Sequence, residues 1–207
     1  MSEAGEAGEA GEALLGCVAV LDACVLYPAS LRDLFVTLAV NGLYLPKWTD
    51  TIHDEWIDNL LEKDQKQNHP PRLDRVRLIR SRDLMERACS RSRVTDYETI
   101  IETLSLPDAE DRHVLAAAIA SEADTIVTFN LRDFPAAVLV PQGIQPLHPD
   151  TFLCGLFDQT PERFIVAVEQ ILSRLKNPPR TWDEHLAVLR SNGLPQIAVR
   201  LFERTKP

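Results

Sequence analysis

Five acidic residues, scattered along the chain, are the side chains best suited to act together in chemistry. They are Asp22, Glu55, Asp108, Asp111 and Asp133. If they meet in one place, mutual repulsion raises their pKa values and destabilises the fold unless a cation neutralises them. Oxygen ligands without thiolates suit Mg²⁺ or Mn²⁺. Such an ion, with positions open to water, is suited to cutting or transferring phosphate esters.

The hydrophobic segments of the chain indicate how these residues could meet. The valine-rich run 17–21 is typical of a strand buried on both faces of a parallel sheet. Further strands are predicted at residues 43–46, 125–129 and 143–147. Ligands of such sheets bind beyond the carboxyl ends of the strands. Asp22 ends the first strand and Asp133 follows the third, so we expect both at this edge.

Helical patterns separate the predicted strands and carry the other three acids. Helices are predicted at residues 31–41, at 49–61, after Pro71, near Ile100 and at 111–122. Alternating strands and helices are typical of a wound α/β sheet. Glu55 lies on the second helix, and Asp108 and Asp111 lie at the start of the last. We expect all three to approach the same edge of the sheet.

After Pro149 the pattern predicts helices alone. Thr160-Pro161 is typical of a helix start, and Thr181 to Glu184 of a capping box whose helix ends near Gly193. A last amphipathic helix is predicted at 196–202. We therefore expect three parts: a disordered acidic leader at 1–13, an α/β domain at 14–148 and a C-terminal helical extension at 149–207 packed on that domain.

Each acidic position also has an interpretation that involves no ion. Asp22 could end a strand in a solvated loop, and Asp133 could be a turn residue. The pair Asp108-x-x-Asp111 could cap the helix that follows it.

The helical residues around Glu55 leave one choice open. Periodicity does not distinguish Glu55 from the neighbouring Asp54, because the two flank opposite margins of the same apolar stripe.

His53 and His113 are isolated on their helices, and we expect structural roles for them.

Charge and composition narrow the class of protein. The net charge of −9 argues against non-specific coating of nucleic acid. Residues 72–93, however, hold eight arginines against three acidic residues, so one segment could still bind a polyanion. No apolar run is long enough to span a membrane, and the start is acidic, unlike a signal peptide. We therefore expect a soluble, cytoplasmic protein that does not bind a membrane.

Several other chemistries lack the residues they need. The four cysteines form no C-x-x-C pair, which argues against a thiolate zinc site or a disulfide framework. Phosphate-binding glycine loops, serine nucleophile elbows and H-E-x-x-H motifs are absent. A phosphatase with an aspartyl nucleophile at Asp22 would need a second Asp where Cys24 stands.

Four segments, in order, make the chain resemble the PIN-domain ribonucleases of the VapC toxin type. They are Val20-Leu-Asp-Ala-Cys-Val-Leu-Tyr-Pro28, Trp48-Thr-Asp-Thr-Ile-His-Asp-Glu55, Leu106-Pro-Asp-Ala-Glu-Asp-Arg-His-Val-Leu-Ala-Ala-Ala118 and Thr128-Phe-Asn-Leu-Arg-Asp-Phe134. The resemblance implies a PIN-like parallel sheet with helices on both faces. It also implies an endoribonuclease that depends on Mg²⁺ or Mn²⁺.

The resemblance assigns roles to individual residues. Its acidic quartet is Asp22, Glu55, Asp111 and Asp133, with Asp108 as an additional or alternative ligand. The first, third and fourth would hold one or two ions, and Glu55 would bind a second ion or orient the attacking water. Thr128 and Asn130 match positions that line the site. The charge of residues 72–93, and not the resemblance, makes Arg72, Arg75, Arg80 and Arg87 candidate RNA contacts, with a solvated helix face as the alternative.

The resemblance also implies partners and leaves alternatives. A toxin of this type is usually masked by an antitoxin, which we expect as a separate protein, and a homodimer is possible. A PIN-like module that binds RNA or protein without turnover is the main alternative to an RNA-cleaving toxin. A metal-dependent phosphatase is the third.

Overall fold

A parallel sheet lies at the centre of the molecule. The computed structural model describes residues 16–68 and 70–205, and the predicted acidic leader at 1–13 lies outside them. Within this part of the chain the sheet has four strands in the order β2-β1-β3-β4. They are β1 (Val18–Leu21), β2 (Leu45–Lys47), β3 (Thr125–Val127) and β4 (Gln145–Leu147). The predicted α/β class, with a parallel sheet and flanking helices, is confirmed.

The register of β1 against β3 sets the edge where the acids were expected. Ala19, Val20 and Leu21 are fully buried, and their side chains alternate between faces, so both faces of the sheet are covered. Leu21 pairs with Val127, so the two strands end level with each other. The next residue, Asp22, donates its backbone N–H to the Val127 carbonyl at 3.1 Å.

The predicted strand boundaries need correction. Strand β2 starts two residues later than predicted, because the Leu43 N–H still donates to the Leu38 carbonyl, at 3.1 Å, where the preceding helix ends. Strand β3 ends two residues earlier, where Thr128 begins a turn. Strand β4 also starts two residues later, because Gly143, with φ of 74°, ends a 3₁₀ turn at Val140–Gln142.

Seven helices precede the last strand in the described part of the chain. They are α1 (Ala23–Leu26), α2 (Ala29–Val40), α3 (Asp50–Gln67), α4 (Arg75–Ala88), α5 (Glu98–Ile101), α6 (Arg112–Ala120) and α7 (Ala136–Leu139). All the predicted helices are present. The four-residue helices α1 and α7 were not predicted, although the equally short α5 was. Helix α3 also runs past its predicted end, through polar residues that are good helix formers.

A buried polar cluster joins the arginine-rich helix α4 to α3. The Glu86 carboxylate accepts from Trp48 Nε1 at 2.8 Å and lies 3.2 Å from His53 Nε2. His53 Nδ1 accepts from Trp56 Nε1 at 2.9 Å, so Nε2 carries the ring proton. Burial lowers the pKa of His53 to about 4, which keeps the ring neutral. His53 therefore has the structural role that was expected.

Four helices complete the described chain. They are α8 (Pro149–Gln159), α9 (Pro161–Arg174), α10 (Trp182–Ser191) and α11 (Pro195–Thr205). Helix α9 packs on α2, and α11 packs on α8 and α10. Their buried side chains belong to the same hydrophobic cluster as the sheet. The domain boundary predicted after residue 148 stays a prediction.

The helix starts in this region agree only partly with the sequence patterns. The capping box is present: Glu184 N–H donates to Thr181 Oγ1, and Thr181 N–H donates to the Glu184 carboxylate. The Thr160 side chain makes no capping bond and instead donates to the Leu156 carbonyl at 3.4 Å. The reason is that α8, which was not predicted separately, ends directly before it.

The described residues contain no helix long and apolar enough to cross a membrane. The four cysteines are free thiols.

Asp150 should be a stabilising residue of the C-terminal helices. Its buried carboxylate accepts the backbone N–H groups of Gln196 and Ile197, each at 2.9 Å, at the start of α11. Asp150→Asn removes the charge and one acceptor, so we expect the free energy of unfolding in urea to fall by about 1–3 kcal/mol.

The matched control is Asp158→Asn on the same helix. Asp158 forms an exposed ion pair with Arg200, which is worth less than about 1 kcal/mol. Equal losses in the two variants would contradict a special role for Asp150.

Candidate active site

An acidic cleft opens where β1 and β3 end. Its volume is about 810 Å³. Four of the five predicted acids line it, namely Asp22, Glu55, Asp108 and Asp111. The fold thus brings together side chains that are far apart in sequence.

Asp22 is held by a short chain of hydrogen bonds. Its side chain is only 5% exposed, so the interpretation as a solvated loop residue is wrong. Its Oδ2 atom accepts from Thr128 Oγ1 at 2.6 Å and from Cys24 Sγ at 3.0 Å. Asn130 N–H in turn donates to Thr128 Oγ1 at 2.9 Å, which leaves the hydroxyl proton for Asp22. Thr128 and Asn130 therefore lie at the predicted place.

Asp111 carries the strongest electrostatic signature of the cleft. Burial, followed by the charges of Asp22, Asp108 and Asp133, raises its pKa to about 6. Asp111 stands directly before α6 but makes no capping bond. Asp108 Oδ1 accepts Glu110 N–H at 2.8 Å in the preceding loop. The helix-cap interpretation of this pair is therefore wrong.

Asp133 lies beside the cleft and is not among its lining residues. It is half-buried, and its backbone N–H donates to the Asn130 carbonyl at 3.0 Å in the turn after β3. This agrees with the turn interpretation. Its charge nevertheless raises the pKa of Asp111, so the two carboxylates are electrostatic neighbours.

Glu55 has a partner that the sequence did not reveal. His113 Nε2 lies 2.8 Å from Glu55 Oε1, so α6 holds a carboxylate of α3 in place. His113 is therefore not isolated, and the structural role expected for it stays a prediction. No local pattern could reveal this contact, because it joins two distant helices. Asp54 also lines the cleft, so both members of the unresolved pair face it.

Two further acids of the cleft were missed. Glu110 lies between the predicted pair Asp108 and Asp111, and Asp58 lies one helical turn after Asp54. The spacing of four residues on α3 was the available signal for Asp58. Asp58 forms an ion pair with Arg75 of α4, which brings one predicted RNA-contacting arginine to the rim of the cleft.

The donor atoms fit a hard divalent ion in type, although they do not enclose one as they stand. Carboxylate oxygens are the ligands that Mg²⁺ and Mn²⁺ prefer. The Asp111 carboxylate accepts no hydrogen bond from the described residues and so remains available. Within residues 16–68 and 70–205, no three His, Cys, Asp or Glu side chains are arranged to hold a metal ion. A shared ion therefore requires some of these side chains to rotate, and the ligand assignment stays a prediction.

Comparison with known proteins gives the family. The family model described as PIN domain matches residues 18–132, more than half of the chain. The chain belongs to the PIN domain family. Ribonucleases with a PIN domain generally use divalent metal ions. Of the five predicted acids, only Asp133 falls outside the matched segment, by one residue.

The C-terminal helices and one relative add detail to the PIN assignment. A family model described as VapC50 C-terminal domain matches residues 149–203. The chain is 39% identical over 101 residues to the protein of Mycobacterium tuberculosis named "Putative ribonuclease VapC50". This alignment covers 47% of the chain and 59% of the relative. No solved structure matches the chain.

Neutralising Asp111 should stabilise the metal-free PIN domain at neutral pH. Its folded-state pKa of about 6 exceeds the unfolded value, so the folded state binds more protons, and stability falls as pH rises from about 4 to 6. Asp111→Asn removes this repulsion. In EDTA we expect a higher Tm than wild type at neutral pH and no gain below pH ~4.

Glu110→Gln is the control for a general loss of charge from the cleft. Glu110 is exposed, so water screens its charge and the change in Tm should be smaller. A gain for Glu110→Gln as large as that for Asp111→Asn would contradict specific crowding at Asp111.

Proposed function

We propose that the protein is a divalent-metal-dependent endoribonuclease that cleaves RNA phosphodiester bonds and acts as the toxin of a toxin–antitoxin pair. The observation that carries the proposal is that Asp22, Glu55, Asp108 and Asp111 line one cleft at the edge of the sheet. Burial and then the charges of neighbouring carboxylates raise the pKa of Asp111 there. Clustered acids of this kind suit a divalent cation. The PIN family assignment and the relative named as a ribonuclease support the same reaction.

Each residue of the cleft has its own role in the proposed reaction. Asp22, Asp111 and Asp133 would hold Mg²⁺ or Mn²⁺, with Asp108 as a further ligand. A bound ion would lower the pKa of a water molecule and stabilise negative charge on the phosphate. Thr128 fixes the orientation of the Asp22 carboxylate. His113 fixes Glu55, which would bind a second ion or orient the attacking water.

Arginines on and before α4 would attract the RNA backbone toward the acidic cleft. Arg75 lies nearest, because it pairs with Asp58 at the rim. Arg80 and Arg87 are exposed and seven residues apart, so they share one face of the helix. Arg72 is exposed just before the helix begins. Positive charge here would offset repulsion between the phosphates and the carboxylates.

A PIN module that binds RNA or protein without cutting is the second candidate. One observation favours it: among the described residues, no acidic group is already arranged to hold an ion. The phosphatase alternative has less support, because Cys24 donates a hydrogen bond to Asp22 from the place where a second Asp would be needed.

As a toxin, the protein would act in the cytoplasm and be neutralised by a separate antitoxin protein. The C-terminal helices offer a surface for that partner or for a homodimer. Inducing the wild-type protein in cells and mapping new RNA 5′ ends would identify the target RNA. Growth arrest that persists with Asp22→Asn would contradict the toxin mechanism.

Cleavage should require both the ion and Asp22. With Mn²⁺ added, we expect wild-type protein to cleave RNA and EDTA to abolish cleavage. Asp22→Asn should lower the cleavage rate by about a hundredfold or more. The reason is that it weakens binding of the ion and so also reduces activation of the water that the ion would hold. The measurement is the appearance of cut RNA fragments over time.

Asp158→Asn makes the same chemical change outside the cleft and should cleave like wild type. Cleavage that survives EDTA, or that survives Asp22→Asn, would contradict the proposed chemistry. Carboxylate-dependent Mn²⁺ binding without cleavage would instead favour the binding module.

The α4 arginines should bind RNA rather than contribute to catalysis. In EDTA, where RNA stays intact, Arg75→Ala and Arg80→Ala should weaken RNA binding, measured by fluorescence anisotropy at several salt concentrations. Each lost phosphate contact should reduce the slope of log affinity against log salt by about 0.7. Arg204→Ala removes an arginine of α11 that pairs with Glu162 and is the control. Equal slopes in all four proteins would place the RNA elsewhere.

A further inference from the structure

A second cavity lies between α2, α9, α10 and the loop before α10. Its inner chamber, about 190 Å³, is lined by Ala29, Ser30, Asp33, Ile171, Leu175, Arg180 and His185. Most drug-sized ligands need a larger pocket. The inner chamber therefore suits a ring-sized group rather than a whole drug-like molecule.

His185 is the unusual residue of this chamber. It is 1% exposed, and neither of its ring nitrogens has a hydrogen-bond partner in the described structure. Buried polar atoms are almost always paired, and each unpaired one costs about 1–3 kcal/mol. Burial, followed by the charge of Arg180, lowers the pKa of His185 to about 4. The neutral ring thus carries one donor and one acceptor that no described residue satisfies.

Cations surround the mouth of this chamber. An outer chamber of about 630 Å³ shares Leu175 and Arg180 with the inner one and is also lined by Arg174 and Lys176. Arg174 is engaged by Asp33. Lys176 and Arg180 have no ion pair among the described residues. Glu184 also lines the outer chamber, but its carboxylate accepts from Thr181. The mouth therefore suits an anionic group.

The inner chamber is a close neighbour of the acidic cleft. Tyr27 lines the cleft and Ala29 lines the chamber, and two residues span at most about 7 Å. Asn192 of the turn after α10 donates to Ser30 Oγ at 3.4 Å. A nucleic-acid strand in the cleft could therefore place a neighbouring nucleotide here.

We propose that the two chambers bind one nucleotide of the RNA substrate, with its base against His185 and its phosphate between Lys176 and Arg180. This inference rests on the proposed function. An acidic peptide would satisfy the two cations, but a carboxylate offers His185 only acceptors. The edge of a nucleobase carries donors and acceptors side by side, so it can pair one His185 ring nitrogen in either tautomer.

The first test follows the imidazole of His185 by ¹⁵N NMR in wild-type protein with EDTA. Titration with nucleoside 5′-monophosphates should shift the His185 nitrogen signals, and inorganic phosphate alone should leave them in place. An RNA oligonucleotide should displace the mononucleotide. His185 signals that do not shift would overturn the inference. Shifts with phosphate alone that are as large as those with nucleotides would also overturn it. Mononucleotide that RNA fails to displace would overturn the assignment to the substrate.

The second test removes the two cations. Lys176→Ala combined with Arg180→Ala should raise the KM for RNA about tenfold, the loss expected for one nucleotide's contacts, with kcat unchanged. Lys66→Ala combined with Arg204→Ala removes the same charges from two surface ion pairs and is the matched control. An unchanged KM, or a loss in kcat alone, would overturn the inference while leaving the proposed function intact.

Failure of the proposed function would look different. If wild-type protein with Mn²⁺ cuts no RNA, the nuclease proposal fails, and the NMR titration alone decides whether the chambers bind a nucleotide. Shifts displaced by RNA would then support an RNA-binding role of the chambers, and silent signals would overturn it.

Discussion

Repulsion among carboxylates at one edge of the sheet is the constraint on which the site depends. The register of β1 against β3 places Asp22 at the end of one strand and Thr128 at the end of the other. Helix α6 then brings Asp111 to the same edge, where burial and then three neighbouring charges raise its pKa. The backbone that forms the core therefore also forces these charges together. Such repulsion lowers the free energy of unfolding, and a cost of this kind is typical of functional sites.

Neighbouring side chains reduce this repulsion unevenly. Asp22 receives hydrogen bonds from a hydroxyl and a thiol, and Glu55 contacts the His113 ring. The hydroxyl and thiol hydrogen bonds stabilise the charge of the Asp22 carboxylate without adding a formal charge of their own. Asp111 has no such donor among the described residues, and its pKa is the one that rises. The position least supported by the protein is thus the one with most to gain from a cation.

The sequence predicted the parts of the fold that have strong local patterns. The apolar run of β1 and the amphipathic stripe of α6 are such patterns, and the acids at their ends followed from general sheet topology. Strand limits were less accurate, because residues such as Tyr44 are buried without belonging to a strand. The contact of His113 with Glu55 was beyond reach, since it depends on how two helices pack.

The C-terminal helices were predicted as helices but not as part of the site's surroundings. Gly193 adopts φ of 79° beside the Phe129 ring, where a Cβ atom would lie 3.2 Å from the ring edge. The turn after α10 is therefore fitted closely to the segment that follows β3. Sequence patterns gave no sign of this contact, because nothing local to Gly193 indicates its neighbour.

For the proposed RNA substrate, the acidity of the cleft also limits which groups can contribute binding free energy. Seven acidic residues line the cleft, so phosphates approaching it are repelled unless positive charge lies nearby. A metal ion can neutralise the charge of the reacting phosphate, but it does not distinguish one RNA sequence or shape from another. Affinity and selectivity must then come from cations and hydrogen-bonding groups around the cleft. The arginines of α4 and the chambers beside α10 are placed at two such positions, on segments that the carboxylate chemistry itself does not constrain.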